Sequence, residues 1–187
     1  MENAIRSERS RAAILKAALV VIARDGVHRL TLDAIARESG LSKGGVMHQF
    51  RTKDAVLKAL LEQQMADFER YSEAFLAGAS SSVAEPTLAA QIVTIREVMD
   101  TPNLAALAIL SILTTDQALR DAIVAIDAKK IAKIKAEAAD PDEALLKWSA
   151  ARGLLFTTMM GLSPFSKKER DRLFDRLLAQ PAKAKKR

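Results

Sequence analysis

The chain has 187 residues, 49% apolar, 28% charged and 4% aromatic, with a formal net charge of +6. That suits one compact domain or two small ones sharing a core, and the Ala- and Leu-rich, aromatic-poor mixture points to helix packed on helix. There is no cysteine, which excludes disulfides and thiol catalysis; two histidines cannot build a His-rich metal site; and no apolar run approaches the ~20 residues a membrane helix needs.

Charge is distributed unevenly. Residues 1–58 carry 11 Lys/Arg against 6 Asp/Glu, residues 59–180 carry 14 against 17, and residues 181–187 carry 4 against none. A basic first third and a basic tail around an acidic middle suit a polyphosphate partner at one end. The opening stretch, MENAIRSERSR, has no apolar signal region, so the chain is expected to stay in the cytoplasm.

In chain order, Met1 to Ser7 reads as a mobile arm, with Arg6, Arg9 and Arg11 near its junction with the first helix. That helix is predicted from about Ser7 to Arg24. Ile14, Leu15, Ala18, Leu19 and Ile22 form its apolar stripe, and Asp25-Gly26 closes it. His28 falls in a connecting loop. Thr31 and Ser42 are N-cap types, and Gly40 can take the left-handed conformation that ends a helix. They frame two short helices, Leu32 to Ser39 and Lys43 to Gln49. A helix pair about a Gly-containing turn is the layout of a helix-turn-helix, whose second helix enters the DNA major groove.

Within that second helix, Gly44 and Gly45 cost roughly 1 kcal/mol each against Ala, a cost tolerated where backbone must approach something closely. Lys43 sits where the helix dipole disfavours a cation, which makes sense if a phosphate or guanine lies ahead of it. Ser42 is a cap whose exposed side could also bond phosphate. Val46 is either core or a contact to a thymine methyl, His48 either donates to phosphate or packs, and Phe50 belongs to the core.

From about Arg9 to Leu57 the chain resembles the DNA-binding domain of the TetR (tetracycline-repressor) family of bacterial transcription regulators. The residues carrying the resemblance include Ile14-Leu15-Lys16-Ala17-Ala18, Gly26, Thr31-Leu32, Ile35-Ala36, Gly40-Leu41-Ser42-Lys43-Gly44, His48, Phe50 and Lys53-Asp54-Ala55. Many members carry an aromatic pair flanking the histidine, whereas this chain has Met47 and Gln49 there; Gln49 can still donate to phosphate or read an adenine edge. The resemblance implies a phosphate contact from Lys53. The candidate DNA-binding residues are therefore Thr31, Ser42, Lys43, Gly44, Gly45, Met47, His48, Gln49 and Lys53.

A long helix should open at Thr52-Lys53-Asp54 and run to about Ala77, followed by a loop over residues 78–85. Helices are then predicted over about 87–99, 102–113, 116–138, 141–160 and 166–179, the last opening on the capping-box spacing Ser166…Glu169. The stretch LAALAILSIL, within 102–113, is apolar all round and reads as buried. Residues 181–187 read as a basic disordered tail. The expected fold class is all-α, with about nine helices: a three-helix helix-turn-helix domain over 1–52, then a ligand-binding and dimerisation domain over 53–180.

The resemblance implies that the first domain binds a double-stranded, palindromic operator and that the second encloses a small apolar or amphipathic effector. It also implies a homodimer through helices 141–160 and 166–179, and repression as the usual outcome. Candidate effector contacts are Phe68, Ile92, Arg96, Leu107, Leu110, Trp148, Phe156 and Met159. Arg96 stands out in an apolar stretch, where it either meets a ligand carboxylate, pairs with Asp100 along its own helix or lies exposed. No clustered Asp/Glu/His set, phosphate-cradling Gly loop or nucleophile motif is found in the carboxyl part. Neither an enzyme nor a cofactor or metal requirement is expected. A ligand-independent architectural DNA-binding protein, or a regulator controlled by a protein partner, would share the same N-terminal motif.

Overall fold

The computed structural model describes residues 2–79, 83–99, 113–114 and 116–179. Residues 102–112 of the helix predicted over 102–113, with Leu107 and Leu110, the basic tail over 181–187 and Asp100 lie outside the described residues. The chain divides into two compact units: Met1–Met65 with Asn103–Arg120, and Ala66–Pro102 with Asp121–Arg187.

The first unit opens with α1 (Glu2–Asp25), followed by a short 3-10 turn (Val27–Arg29), α2 (Leu32–Ser39) and α3 (Lys43–Gln49). The arm expected over Met1 to Ser7 is instead helical from Glu2. Nothing between Glu2 and Ser7 is a Gly or Pro that would stop a helix, and Ser10 donates its hydroxyl back to the Arg6 carbonyl at 3.0 Å. α1 packs on α2 and α3. The buried Ile14, Ala18, Val21, Leu30, Ile35, Val46 and Phe50 make this unit's core, which assigns Val46 to packing. Arg24 donates to Asp25 and, at 2.7 Å, to Glu38, tying the end of α1 to α2. The Arg24 hydrogen bond holds the Asp25 carboxyl below its ordinary value.

Local chemistry sets the helix ends. Thr31 Oγ1 accepts from the Ala34 N–H (3.0 Å) and Ser42 Oγ from the Gly45 N–H (3.1 Å), each satisfying an orphan donor of a first turn. Gly40 closes α2 at φ 71°, a conformation that a side chain would strain. The chain then continues into α4 (Lys53–Gly78), helical without a break.

The second unit contains the later part of α4, then α5 (Pro86–Met99), most of α6 (Gln117–Glu137), α7 (Pro141–Met159) and α8 (Lys167–Leu178). α5 packs against α7 and α8. Leu88, Ile92, Ile95 and Met99 recur at helical spacing along α5 and close a core with Ile134, Ala144, Ala151, Leu154 and Phe174. Asp140 caps α7 by accepting from the Asp142 and Glu143 N–H groups, with Pro141 in the first turn. Ser166 and Glu169 form the expected capping box at the start of α8. Among the described residues, no helix is long and apolar enough to cross a membrane.

Candidate functional site

Most of the candidate residues of the helix-turn-helix are exposed. Ser42, Lys43, Gly44, Met47 and His48 along α3 are exposed, as are Thr31 before α2 and Lys53 opening α4; Gly45 and Gln49 are half-buried. The inward side of α3 is anchored by Val46 and by Phe50, over whose ring the Arg11 guanidinium lies at 4.7 Å. Packing therefore fixes the rotation of α3 and leaves its polar edge outward.

The two glycines of α3 have different local surroundings. A Cβ at Gly45 would approach the Ser42 capping hydroxyl to 3.3 Å, so glycine there spares the cap. A Cβ at Gly44 would meet nothing within 4 Å. Neither glycine has a left-handed backbone. The packing around position 44 therefore leaves room for a side chain.

Two contacts at this face were not legible in the sequence. Lys43 Nζ lies 3.0 Å from Asp33 Oδ1 on α2, so its unfavourable place at a helix start already has a compensating carboxylate. Gln49 Nε2 donates to Ser7 Oγ at 2.9 Å, joining the end of α3 to the first turns of α1. The partners are ten and forty-two residues apart, and neither spacing belongs to a local motif. Thr31 and Ser42 accept through their hydroxyl oxygens as caps and keep the hydroxyl proton to donate.

The second unit gathers some of the sequence candidates and disperses others. Phe68 and Trp148 pack against the core cluster that contains Ile92. Lys130 lies 5.2 Å above the Phe68 ring and pairs with Glu69; Arg152 lies 4.6 Å above the Trp148 ring and pairs with Asp127 at 2.6 Å. Met159 is half-buried, but Phe156 is 51% exposed and turns outward on α7. Arg96 reaches across to α8, 2.8 Å from Asp175 and 3.7 Å from Asp171, so its charge is already balanced.

Residues 14–60 match the family model described as bacterial regulatory proteins of the tetR family, and residues 85–181 match the tetracyclin repressor-like C-terminal domain. The chain belongs to the TetR family. That family consists of transcription regulators rather than enzymes, and residues 14–60 are its helix-turn-helix domain. Two relatives from Pseudomonas putida are 38% and 37% identical to it over 68 residues: the HTH-type transcriptional regulator SrpR and the uncharacterized HTH-type transcriptional regulator TtgW. The match covers 36% of this chain, and only 32% and 51% of those two proteins.

Solved structures share the TetR-family fold across most of the chain. The multidrug binding protein EbrR complexed with malachite green gives a TM-score of 0.63 at 19% identity, covering 91% of this chain and 98% of that one. The SmeT–triclosan complex gives 0.63 at 22%, covering 91% and 90%. A transcriptional regulator from Pseudomonas aeruginosa gives 0.67 at 18%, covering 91% and 89%.

Proposed function

We propose that this TetR-family regulator is a repressor that binds a palindromic operator as a homodimer and is released by a small apolar or amphipathic effector held in its second unit. The observation that carries the DNA-reading part is Gly44: an exposed position on the outward edge of α3 that the fold could fill with a side chain and does not. Backbone N–H groups at a helix start, with no side chain in the way, suit a phosphate. Thr31, Ser42, Lys43, Gly44, Gly45, Met47, His48, Gln49 and Lys53 form the proposed contact face. A duplex has to draw Lys43 away from Asp33, which makes that contact more demanding than a free lysine would be.

The exposed side of α7 supports the dimer. Leu146 is 67% exposed and Phe156 51%, and Ser149, Ala150 and Gly153 lie exposed between them on the same helix face. Small residues flanked by large apolar ones let a second helix approach closely. Leu162 and Phe165, in the connection from α7 to α8, are exposed as well. A symmetric dimer suits two half-sites about 34–36 Å apart. The effector reading draws support from relatives of the same fold, EbrR and SmeT, which were solved with malachite green and triclosan.

The testing experiment is binding-site selection from genomic DNA with the purified protein across a salt series. A two-fold palindrome is the expected product. Lys43→Ala and Lys53→Ala should each weaken binding to every sequence and flatten the salt dependence by about one counterion. Recovery of no preferred sequence would leave an architectural DNA-binding protein in place of an operator-specific repressor. Unchanged salt slopes would remove those lysines from the phosphate contacts.

A further inference from the structure

We propose that Ser72, Gln91 and Thr94 form the hydrogen-bonding wall of the effector site, and that this wall takes an uncharged molecule with an apolar body and one hydroxyl or amide group. The proposal rests on the reading that the second unit holds a small-molecule effector. It adds which residues grip that effector and what chemistry they accept.

Beside its apolar stripe, α5 carries a second, polar stripe at the same helical spacing: Thr87, Gln91 and Thr94. All three are buried, Gln91 to 4% and Thr94 to 1% exposure. Thr87 is accounted for by the fold, since its N–H and hydroxyl both donate to the Glu137 carboxylate, at 2.8 and 2.7 Å. Gln91 Nε2 donates to Ser72 Oγ at 3.2 Å, and Ser72 on α4 is itself 4% exposed. Thr94 is different. Its hydroxyl is wholly buried and has no hydrogen-bond partner. A buried hydroxyl without a bond is a standing cost to the folded state, and valine of nearly the same shape would avoid it. The indole N–H of Trp148, on the α7 helix that packs against α5, is buried and unbonded in the same unit. The Thr158 hydroxyl and the Arg170 Nε are buried and unbonded in this unit as well. Thr94 alone of the four shares α5 with Gln91, so Thr94, Gln91 and Ser72 form a set that a polar group from outside would complete.

The charges in this unit argue for a neutral occupant. Arg96 is held by Asp171 and Asp175, Lys130 by Glu69, Arg152 by Asp127, and Glu137 is occupied by Thr87. An ionic ligand set against any of these groups would have to break its pair, whereas a hydroxyl or amide needs only the donors and acceptors that α5 already holds.

The test uses the full chain and three probes with the same ring system: 2-naphthol, the hydroxyl-free naphthalene and the anionic 2-naphthoate. Affinities are measured by equilibrium dialysis, with melting temperatures in parallel. The wild type should prefer 2-naphthol to both others by about tenfold, the size of one neutral hydrogen bond made in a dry site. In Thr94→Val that preference should largely vanish while naphthalene binds as before. Gln91→Leu should reduce it too. Thr94→Val should melt no lower than the wild type, because no bond is lost in the free protein. Three results would overturn the proposal and leave the effector reading standing: an unchanged preference in both variants, a preference for 2-naphthoate, or a lowered melting temperature in Thr94→Val. If none of the probes binds the wild type, the effector reading and this inference both fall.

Discussion

At the residue scale, Gly44 and Gly45 are adjacent glycines with separable reasons for being there. Alanine at 45 would press on the capping hydroxyl of Ser42, whereas alanine at 44 projects into open space. Gly44→Ala should therefore stabilise the protein by up to ~1 kcal/mol through helix propensity, read as a rise in the urea midpoint. Gly44→Leu should abolish operator binding in a gel-shift titration while the protein stays folded and dimeric. A Leu variant that still bound its operator at full strength would end the close-approach argument. The sequence alone marked both glycines as costly in a short helix; it could not tell them apart, because the distinction lies in what a Cβ would touch.

At the scale of the element, the helix starts show which parts of this fold are written locally. Thr31, Ser42, Asp140 and Ser166 all cap through oxygens that accept from N–H groups two or three residues ahead, so their role follows from spacing alone. The α8 cap gives a direct test. Ser166→Ala should cost about 1 kcal/mol of stability in urea denaturation, in line with the loss of other serine caps. A negligible change would mean that α8 is held by its packing and by Arg96 rather than by its cap. The Glu169 carboxyl is held below its ordinary value, chiefly by the Ser166 hydroxyl and then by its backbone N–H. Since the folded value is the lower one, that support is present at neutral pH and is lost as the pH falls through the folded value. What spacing did not reveal was the start of α1, where no breaker marks a boundary, and the partners of Arg96, Lys43 and Gln49. Arg96 finds Asp175 seventy-nine residues along the chain, a pairing that only the packing of α8 on α5 creates. The same limit applies to the effector candidates: periodicity placed Ile92 and Phe156 equally on apolar helices, yet one is core and the other faces solvent.

At the scale of the whole molecule, the exposed apolar face of α7 bears on assembly. Leu146→Glu combined with Phe156→Glu would place two charges in the proposed helix-to-helix seam. The expected outcome is a monomer by sedimentation at concentrations where the wild type is dimeric, with operator affinity reduced by a hundredfold or more, on the order expected when two linked half-site contacts become one. A double variant that stayed dimeric would move the interface elsewhere. One further consequence concerns light rather than binding. Trp148 is the single tryptophan of the chain, packed against the second unit's core with a guanidinium over its ring. Its emission therefore comes from one known place, which is not in the helix-turn-helix. The protein carries its own optical label in the unit that holds none of the proposed DNA contacts, so a colour change on adding an operator duplex would be a message received at a distance, read without attaching a dye.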